Sequence, residues 1–289
     1  MEVVTAMNPI QSFLKTYHGA AVLKYWHAPL IIEGIIITVV LAILAQAAGA
    51  LIGLILYFMR RARFKPIGWI AEFYIWLFRG TPLLVQILVV YLSTSYLNLA
   101  RPLQASDIFV TLGFDPSGFG GALRPFVAGF LALALNEGAY MAEIVRAGID
   151  SIDSGQMEAA KSLGMTYWMG MRRIVLPQAM RVILPPLGNE FNSMLKNTSL
   201  VSVISLYDLL GAAQAIGSPS FLTLELLTIA SFWYLVMTTV WTIIQASLER
   251  RFNASNIEGG GSQSIWDRLL TPDSLFPFMR RAPLAGPGR

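Results

Sequence analysis

The sequence predicts an all-α, polytopic membrane protein with about five transmembrane helices, its N-terminus outside and its C-terminus inside the cell. Hydrophobic residues make up 55% of the chain and charged residues only 13%, against roughly 25% charged residues in soluble domains. Residues 34–59 contain no charged side chain. At about 1.5 Å per helical residue, that segment is long enough to cross about 30 Å of hydrocarbon. The Lys and Arg residues are also distributed unevenly along the chain, as expected of a protein with a fixed orientation in a membrane.

Five apolar segments are predicted to span the membrane. In the first, Gly49 and Gly53 form a GxxxG pair, which is typical of a close contact between helices. In the second, Pro82 is expected to kink the helix. Residues 98–123 separate the second span from the third, and their Gly, Pro, Asp and Ser content predicts a loop. The spans are placed at residues 34–59, 67–97, 125–145, 182–205 and 226–248.

The basic residues predict which segments face the cytoplasm, because Lys and Arg are enriched on that side of a membrane. If the N-terminus is outside, the inside segments are 60–65, 146–181 and 250–289, and they carry fifteen of the 21 basic residues. The outside segments carry four. The net charge of +4 is therefore explained by orientation in the membrane, and no nucleic-acid partner is expected.

This arrangement divides the chain into three predicted parts. Residues 1–32 form an extracytoplasmic segment, and residues 33–252 form a transmembrane domain. Residues 253–289 form a cytoplasmic tail, which is rich in Gly, Ser and Pro and is therefore expected to be disordered. The chain has no Cys, which excludes disulfides, thiol catalysis and Cys-based metal sites. His18 and His27 lie in no motif and are expected to be plain surface residues.

The longest cytoplasmic loop contains a polar, helix-prone segment at residues 150–180. Asp153 or Ser154 can cap a helix there, and Gly164 is expected to end it. A second helix is expected to run up to Leu176-Pro177. The segment therefore predicts a short helix–Gly–helix unit that faces the cytoplasm.

One stretch of this segment, GQMEAAKS, nearly matches a phosphate-binding loop. Ala160 stands where such a loop needs Gly, and no strand precedes it, so no ATP site is predicted in this chain. An intramembrane enzyme is not expected either. The predicted spans contain no His, and the sequence has no metal set, Ser/Lys nucleophile pair or twin aspartates for such chemistry.

The cytoplasmic segment resembles the EAA signature of ABC importer permeases. Glu158-Ala159-Ala160 is followed after three residues by Gly164, then after nine by Ile174, and then by Leu176-Pro177. Asn197 departs from the family pattern, because many relatives have Asp at that position. The resemblance covers roughly residues 33–252. Three further stretches resemble the polar amino acid permeases within this family, namely RGTPLLVQ (79–86), NEGAYMAEIVRAGI (136–149) and KNTSLVSVISLYDLL (196–210).

The resemblance implies a mechanism and a set of partners. In this family the EAA helix is a coupling helix that docks on a separate ATPase subunit, and a dimer of those subunits binds ATP and Mg. An extracytoplasmic solute-binding protein and a second permease subunit, identical or homologous, complete a transporter of the bacterial cytoplasmic (inner) membrane. This chain would then be a transport subunit that binds no cofactor itself. The residues that the resemblance assigns to coupling are Glu158, Ala159, Ala160, Lys161, Gly164, Ile174, Leu176 and Pro177.

Polar residues inside the spans predict a solute pathway, because an ionisable group in a bilayer costs roughly 2.5–3.5 kcal/mol and usually faces a bundle interior. An amino acid needs a cation or amides for its carboxylate and a carboxylate or carbonyls for its ammonium group. Some of these residues could instead hold helices together: Arg79 could pair with Glu72, and Glu143 with Arg146. The candidates for the pathway are Arg79, Thr81, Asn136, Glu137, Tyr140, Lys196, Asn197, Thr198 and Ser199.

Two functions are consistent with these features. The first is the permease subunit of an ABC importer for polar amino acids or opine-like derivatives. The alternative is an ion-coupled secondary amino acid transporter, which would predict inverted repeats and a self-sufficient ion site. The sequence shows neither of these features, and the alternative would leave the EAA signature unexplained.

Overall fold

A computed structural model describes residues 18–96 and 123–253 of the chain. The first 17 residues, the predicted loop up to residue 122 and the tail from residue 254 lie outside the described residues. All described regular structure is helical. The chain divides into a compact unit that ends at Glu249 and a second unit that begins at Arg250. The helices are α1 Gly19–Tyr25, α2 Pro29–Arg60, α3 Lys65–Gly80, α4 Leu83–Tyr96, α5 Leu123–Asp150, α6 Ser154–Ser162, α7 Tyr167–Gly170, α8 Leu176–Asn197, α9 Leu209–Ser220 and α10 Thr223–Asn253, with a π-helical turn at Met171–Val175 and a 3₁₀ helix at Thr198–Ile204.

Within the described ranges, two helices are long and apolar enough to cross a membrane, α2 and the part of α10 that ends at Arg250. Two bent pairs also pass the same test. In the first pair, the axes of α3 and the first part of α4 differ in direction by 109°. In the second pair, the helical segment Tyr167–Ile204 and α9 differ in direction by 46°. Length and composition thus support two to four spans among these residues. The count of five spans and the sides of the two termini stay predictions.

The helix predicted as the third span, α5, is the central element of the bundle. It has 28 residues and packs against α2, α3, α4 and α8. Its composition is not apolar enough to be counted as a span, since it carries Asn136, Glu137 and Glu143. From Arg124 onward only Ala147 and Asp150 are exposed. Asn136 and Glu137 in the middle of α5 are buried against other helices, which explains how a helix of lower hydropathy occupies the centre of the bundle.

Small residues bring α2 and α5 close together. A Cβ atom at Gly49 would lie 2.6 Å from the Cβ of Glu137, which is closer than real side chains approach. A Cβ at Gly53 would overlap Met141, and one at Gly138 would overlap Ile52. The predicted role of the GxxxG pair as a helix-packing contact is confirmed, and α5 contributes a glycine of its own to the same interface.

Pro82 does more than kink the second predicted span. It separates α3 from α4, and the two axes differ in direction by 109°. Thr81 has the extended backbone expected of a residue before proline, with φ −117° and ψ 146°. The second span is therefore two short helices joined by a sharp turn.

The helix after Gly164 does not end at Leu176-Pro177, so that prediction is wrong. Pro177 has no N–H for the i−4 carbonyl, and its ring would crowd that carbonyl in a regular helix. The preceding turn is π-helical, and the N–H of Leu176 donates to the carbonyl of Met171. The wider turn accommodates the proline, so the helix continues into α8. Two further prolines, Pro185 and Pro186, lie inside α8.

The contact between α2 and α5 can be tested with two glycine-to-alanine variants. Gly53→Ala is expected to lower stability by about 1–3 kcal/mol, because the new methyl group overlaps Met141 and the backbone of Ala142. Gly68→Ala in α3 is the control, since a Cβ there would meet its nearest neighbours at 3.7–3.8 Å, and it should be neutral or slightly stabilising. Thermal unfolding of both purified variants is the measurement. Equal midpoints would contradict the close packing.

Candidate functional site

The EAA segment folds as predicted into a short capped helix. Asp153 rather than Ser154 is the N-cap of α6, and its carboxylate accepts a hydrogen bond from the backbone N–H of Gly155 at 2.6 Å. At the other end Gly164 has φ +79°, a conformation that glycine adopts without strain. The N–H of Gly164 donates to Lys161 and that of Met165 donates to Ala160, which together form a Schellman cap.

α7 packs against α6 through small residues. Thr166 caps α7 by accepting a hydrogen bond from the N–H of Met169 at 3.4 Å. A Cβ at Gly170 would lie 2.9 Å from the sulfur of Met157 and 3.3 Å from the Cβ of Ala160. Ala160 is only 1% exposed. Its small size therefore permits the contact between α6 and α7, and its side chain is not on the outer surface of the segment.

The outer surface of the segment is formed by the remaining signature residues and by apolar side chains. Leu163 is 79% exposed and Trp168 is 67% exposed. Sequence reasoning did not single out these two residues, although two exposed apolar side chains within a polar segment are a signal for a partner surface. Ile174 is half-buried. The exposed signature residues are Glu158, Ala159, Lys161, Gly164, Leu176 and Pro177.

Both ends of the segment are anchored on the helix bundle. Tyr57 of α2, Ile149 of α5 and Val175 of the π turn belong to one buried apolar cluster, together with Ile183 of α8. A Cβ at Gly148 would overlap Ile183, so α5 and α8 approach each other closely at this point. Because α5 leads into the segment and α8 leads out of it, a displacement of the segment acts on two packed helices at once.

Glu137 lies in the middle of the bundle. It is 4% exposed, and its Oε1 accepts a hydrogen bond from Nε2 of Gln46 at 3.0 Å. Glu190 of α8 is near enough for the two carboxylates to interact electrostatically. Gln46 was missed by sequence reasoning. A polar residue in an otherwise apolar span was the available signal for it.

Arg79 does not pair with Glu72, so that alternative is wrong. The guanidinium of Arg79 lies 5.5 Å from the centre of the Tyr140 ring and within electrostatic reach of Glu190. Glu72 instead lies 3.8 Å from Arg60. The i, i+7 spacing along α3 suggested the first pair, but the end of α2 supplies a nearer cation. The structure thus brings Arg79 and Tyr140 together near a carboxylate.

Asn136 and Thr81 are connected through Gln86 at the break between α3 and α4. The side-chain N–H of Asn136 donates to the carbonyl of Phe78 at 3.1 Å and to the amide oxygen of Gln86 at 3.0 Å. Gln86 in turn donates to the hydroxyl of Thr81 at 2.8 Å and to the carbonyl of Phe78 at 2.9 Å. These bonds occupy backbone acceptors that the helix break leaves free. Gln86, which was not a candidate, is the centre of this network.

The four candidates where α8 passes into the 3₁₀ helix have different surroundings. Lys196 is exposed, and its side chain forms no hydrogen bond or ion pair with the described residues. Asn197 and Ser199 are half-buried. Thr198 is fully buried and donates to the carbonyl of Leu195 at 2.9 Å, which is a structural contact. Among the described residues, no hydrogen bond or ion pair joins this group to Glu137.

Asp208 is a buried carboxylate that sequence reasoning overlooked. It caps α9 by accepting hydrogen bonds from the N–H groups of Leu210 and Gly211, and it accepts another from the Tyr234 hydroxyl at 2.9 Å. An Asp directly before an apolar helix is an N-cap signal. In the described residues no group of His, Asp and Glu is arranged to hold a metal ion.

The proposed pairing of Glu143 with Arg146 is confirmed. Oε2 of Glu143 accepts hydrogen bonds from Nη2 and Nε of Arg146 at 2.7 and 3.0 Å. Arg146 lies beyond the predicted span. Its hydrogen bonds to Glu143, together with the attraction of that carboxylate, raise the pKa of the guanidinium above its ordinary value.

Comparison with known proteins identifies the family. Residues 49–254 match the family described as the inner membrane component of binding-protein-dependent transport systems. The chain belongs to this family. It is therefore a transport subunit and not an enzyme, which confirms the resemblance drawn from the EAA signature. The alternative of an ion-coupled secondary transporter has no support.

The permease is similar to several characterised proteins. It is 40% identical over 235 residues to the arginine transport system permease protein ArgU of Corynebacterium glutamicum, covering 81% of this chain and 70% of that one. It is 36% identical over 228 residues to the arginine transport system permease protein ArtQ of Bacillus subtilis, covering 79% and 94%.

Solved structures agree with the fold. A crystal structure of an amino acid ABC transporter with histidines contains a chain that is 40% identical to the permease, with a TM-score of 0.66, covering 81% of this chain and 98% of that one. A chain of the MetNI methionine ABC transporter in an inward-facing form has a TM-score of 0.59 at 14% identity, covering 78% and 97%. At that identity the second likeness supports the fold alone.

Proposed function

We propose that this chain is the permease subunit of an ABC importer that takes polar amino acids, or opine-like derivatives, into a bacterial cell. The observation that carries the proposal is the EAA segment, which is capped at both ends and leaves most of its signature residues exposed. The substrate class is supported by the relatives, whose names include arginine, L-cystine and glutamine transport system permeases.

The proposed topology has five spans, with the N-terminus outside and the C-terminus in the cytoplasm. Residues 1–32 are extracytoplasmic, residues 33–252 form the membrane domain, and residues 253–289 are a cytoplasmic tail. The distribution of basic residues supports this orientation. α5 is less apolar than the other spans, and it is counted as the third span because Asn136 and Glu137 in its middle are covered by other helices.

The proposed partner of the EAA segment is a dimer of ATPase subunits that binds ATP and Mg. Glu158, Ala159, Lys161 and Gly164 are exposed and would contact the ATPase directly. Ala160 is buried and would contribute indirectly, because its small side chain lets α7 pack against α6. Leu176 and Pro177 are exposed at the start of α8, and Ile174 is half-buried beside them. ATP-driven closure of the dimer would then move α5 and α8, because both are anchored to the segment.

The proposed solute pathway includes Arg79, Tyr140 and Glu137, with Lys196 and Asn197 at the end of α8. Arg79 and Glu190 offer opposite charges, which suits a zwitterionic solute. Asn136, Thr81 and Thr198 would support the pathway through their structural hydrogen bonds. Because Arg79 and Lys196 are exposed on this subunit, a second permease subunit would complete the passage, and an extracytoplasmic solute-binding protein would deliver the solute.

Substitution of Ala159 tests the coupling surface. Ala159→Leu keeps a strong helix former at an exposed position, so α6 should fold normally, but the larger side chain should block close docking. Retention of the ATPase in pull-down experiments and solute uptake should both fall by about tenfold or more, the effect of losing about 1.4 kcal/mol of binding free energy. Ala147→Leu is the control, because Ala147 is an exposed alanine of α5 outside the segment.

Gly164 gives a second arm of the same test. Asn tolerates positive φ better than most residues, so Gly164→Asn should be accepted if the glycine is needed only for the turn. If close approach of the ATPase matters, Gly164→Asn should uncouple transport although the protein folds. Normal uptake with Ala159→Leu would contradict the assigned surface.

Thiol labelling tests the topology. The chain has no Cys, so a single introduced cysteine gives a clean signal. Cysteines replacing Arg63 and Trp168 should react with a membrane-impermeant maleimide only in inverted vesicles. A cysteine replacing Ser218, which is exposed near the start of α10, should react only in intact spheroplasts. Labelling of position 168 from outside would overturn the proposed orientation.

Two charge-removing variants test the solute pathway. Glu137→Gln keeps the shape and an acceptor for Gln46, and Lys196→Met removes an exposed charge. Loss of one charge-assisted contact should raise the solute concentration for half-maximal uptake by roughly ten- to a hundredfold, equivalent to about 1.5–3 kcal/mol. Thr198→Val is the control, and it should lower stability without changing this concentration. An unchanged value in both charge variants would remove these two residues from the pathway.

A further inference from the structure

Six charged side chains meet near the cytoplasmic segment. They come from the C-terminal ends of α2 and α5 and from the middle of α3, and positive and negative groups alternate through the cluster. The three cations balance the three acids. The members are Arg60, Arg61, Glu72, Glu143, Arg146 and Asp150.

Arg60 has the shortest ion pair in this cluster. Its Nη1 donates to Oε1 of Glu143 at 2.6 Å, and its Nη2 lies 3.8 Å from Glu72. The other oxygen of Glu143 is occupied by Arg146 of the same helix. The side chains of Arg60 and Glu143 are only 26% and 22% exposed. Their attraction is therefore less screened by water than that of a surface pair.

Arg61 forms a second connection between the same two helices. Its Nη2 donates to Oδ1 of Asp150 at 2.8 Å, and Nη1 of Arg146 donates to the other oxygen of Asp150 at 3.4 Å. Arg60, the last residue of α2, and Arg61, its C-cap, thus hold two acids that lie two turns apart on α5, and Arg146 joins those acids. The connection between α2 and α5 has two points, which restrains rotation as well as separation.

The cluster continues the close contact between α2 and α5 to its cytoplasmic end. Gly49 and Gly53 bring the two helices together in the middle of the bundle. α6 begins at Ser154, four residues after Asp150. A force on α6 therefore enters α5 at the residues that are tied to α2.

We propose that Arg60 is a positioning residue for energy coupling, which acts through Glu143 to make α2 and α5 one rigid lever for the movement of the EAA segment. This inference rests on the proposed function of that segment as the contact with the ATPase. A rigid element with two positions can transmit such a movement, whereas an end of α5 that moves independently of α2 would dissipate it. A pair that only stabilised the fold would leave the ratio of transport to ATP hydrolysis unchanged in correctly assembled complexes.

The first experiment uses the whole transporter in proteoliposomes, with its ATPase, second permease subunit and solute-binding protein. Arg60→Gln is expected to keep ATP hydrolysis but to lower the solute molecules transported per ATP by about fivefold or more, the lower end of typical coupling effects. Arg60→Lys should stay within about twofold of wild type, because the contact with Glu143 involves a single nitrogen. Glu72→Gln is the matched control, since Glu72 is 59% exposed and its contact is long.

The second experiment restores the connection chemically. The double variant Arg61→Cys/Asp150→Cys lacks one ion pair between α2 and α5, and the chain has no other Cys. The unlinked variant should transport less solute per ATP. A short bis-methanethiosulfonate reagent that joins the two cysteines should restore the ratio, and reduction of the link should reverse the gain. Thermal midpoints of all complexes separate a loss of coupling from a loss of folding.

The outcomes distinguish the lever from the proposed function itself. If the wild-type complex shows no ATP-driven uptake, the proposed function fails. If it transports but Arg60→Gln transports equally well per ATP, only the lever is overturned. A link that abolishes transport would overturn it too, because it would show that the ends of α2 and α5 must separate during the cycle. Failure of the two cysteines to link would contradict the geometry of the cluster.

Discussion

The close approach of α2 and α5 is the constraint on which the rest of the structure depends. Water expulsion does not drive helices together inside a bilayer, so their association relies on packing and hydrogen bonds at short distance. Gly49 and Gly53 on one helix and Gly138 on the other remove the side chains that would hold the axes apart. The same approach puts Gln46 within hydrogen-bonding distance of Glu137 and lets the ends of both helices share ion pairs. Small residues in the middle thus make the polar contacts geometrically possible.

Polar groups in the bundle are used in two ways. At the break between α3 and α4, Asn136 and Gln86 bond backbone carbonyls that the turn leaves free, so these side chains substitute for missing helical hydrogen bonds. Elsewhere charged groups remain within reach of an open surface, as Arg79 does above the Tyr140 ring. Neighbouring residues of the single stretch NEGAY in α5 contribute to both uses. A polar residue inside a span is therefore a weak indication of solute binding until its partners are known.

The sequence predicted the local structure better than the contacts between distant residues. The cap at Asp153, the end of α6 near Gly164 and the packing role of the GxxxG pair all follow from signals within a few residues. The sequence predicted Glu72 as the partner of Arg79 because it showed only the spacing of the two residues along one helix. In the fold, Arg60 at the end of α2 lies beside that carboxylate. The sequence did not predict that the helix continues through Leu176-Pro177. A π turn before the proline relieves its steric clash with the preceding turn, and no local sequence pattern predicts a π turn. The roles of Gln46 and Gln86 required the three-dimensional arrangement, since their partners lie on other helices or across the break.

The EAA signature combines several separate physical requirements. Ala160 and Gly170 face each other, so their small size serves the contact between α6 and α7. Gly164 is required by a positive φ, and nothing lies within 4 Å of the place where its Cβ would be. Only Ala159, among the small residues of the signature on α6, is exposed while having an ordinary helical backbone. Alanine suits the helix at this position, but no tight contact and no backbone strain in the described part of this chain requires its small size. A partner surface that approaches α6 closely would require a small side chain there, which makes Ala159 a more direct indication of docking than Gly164.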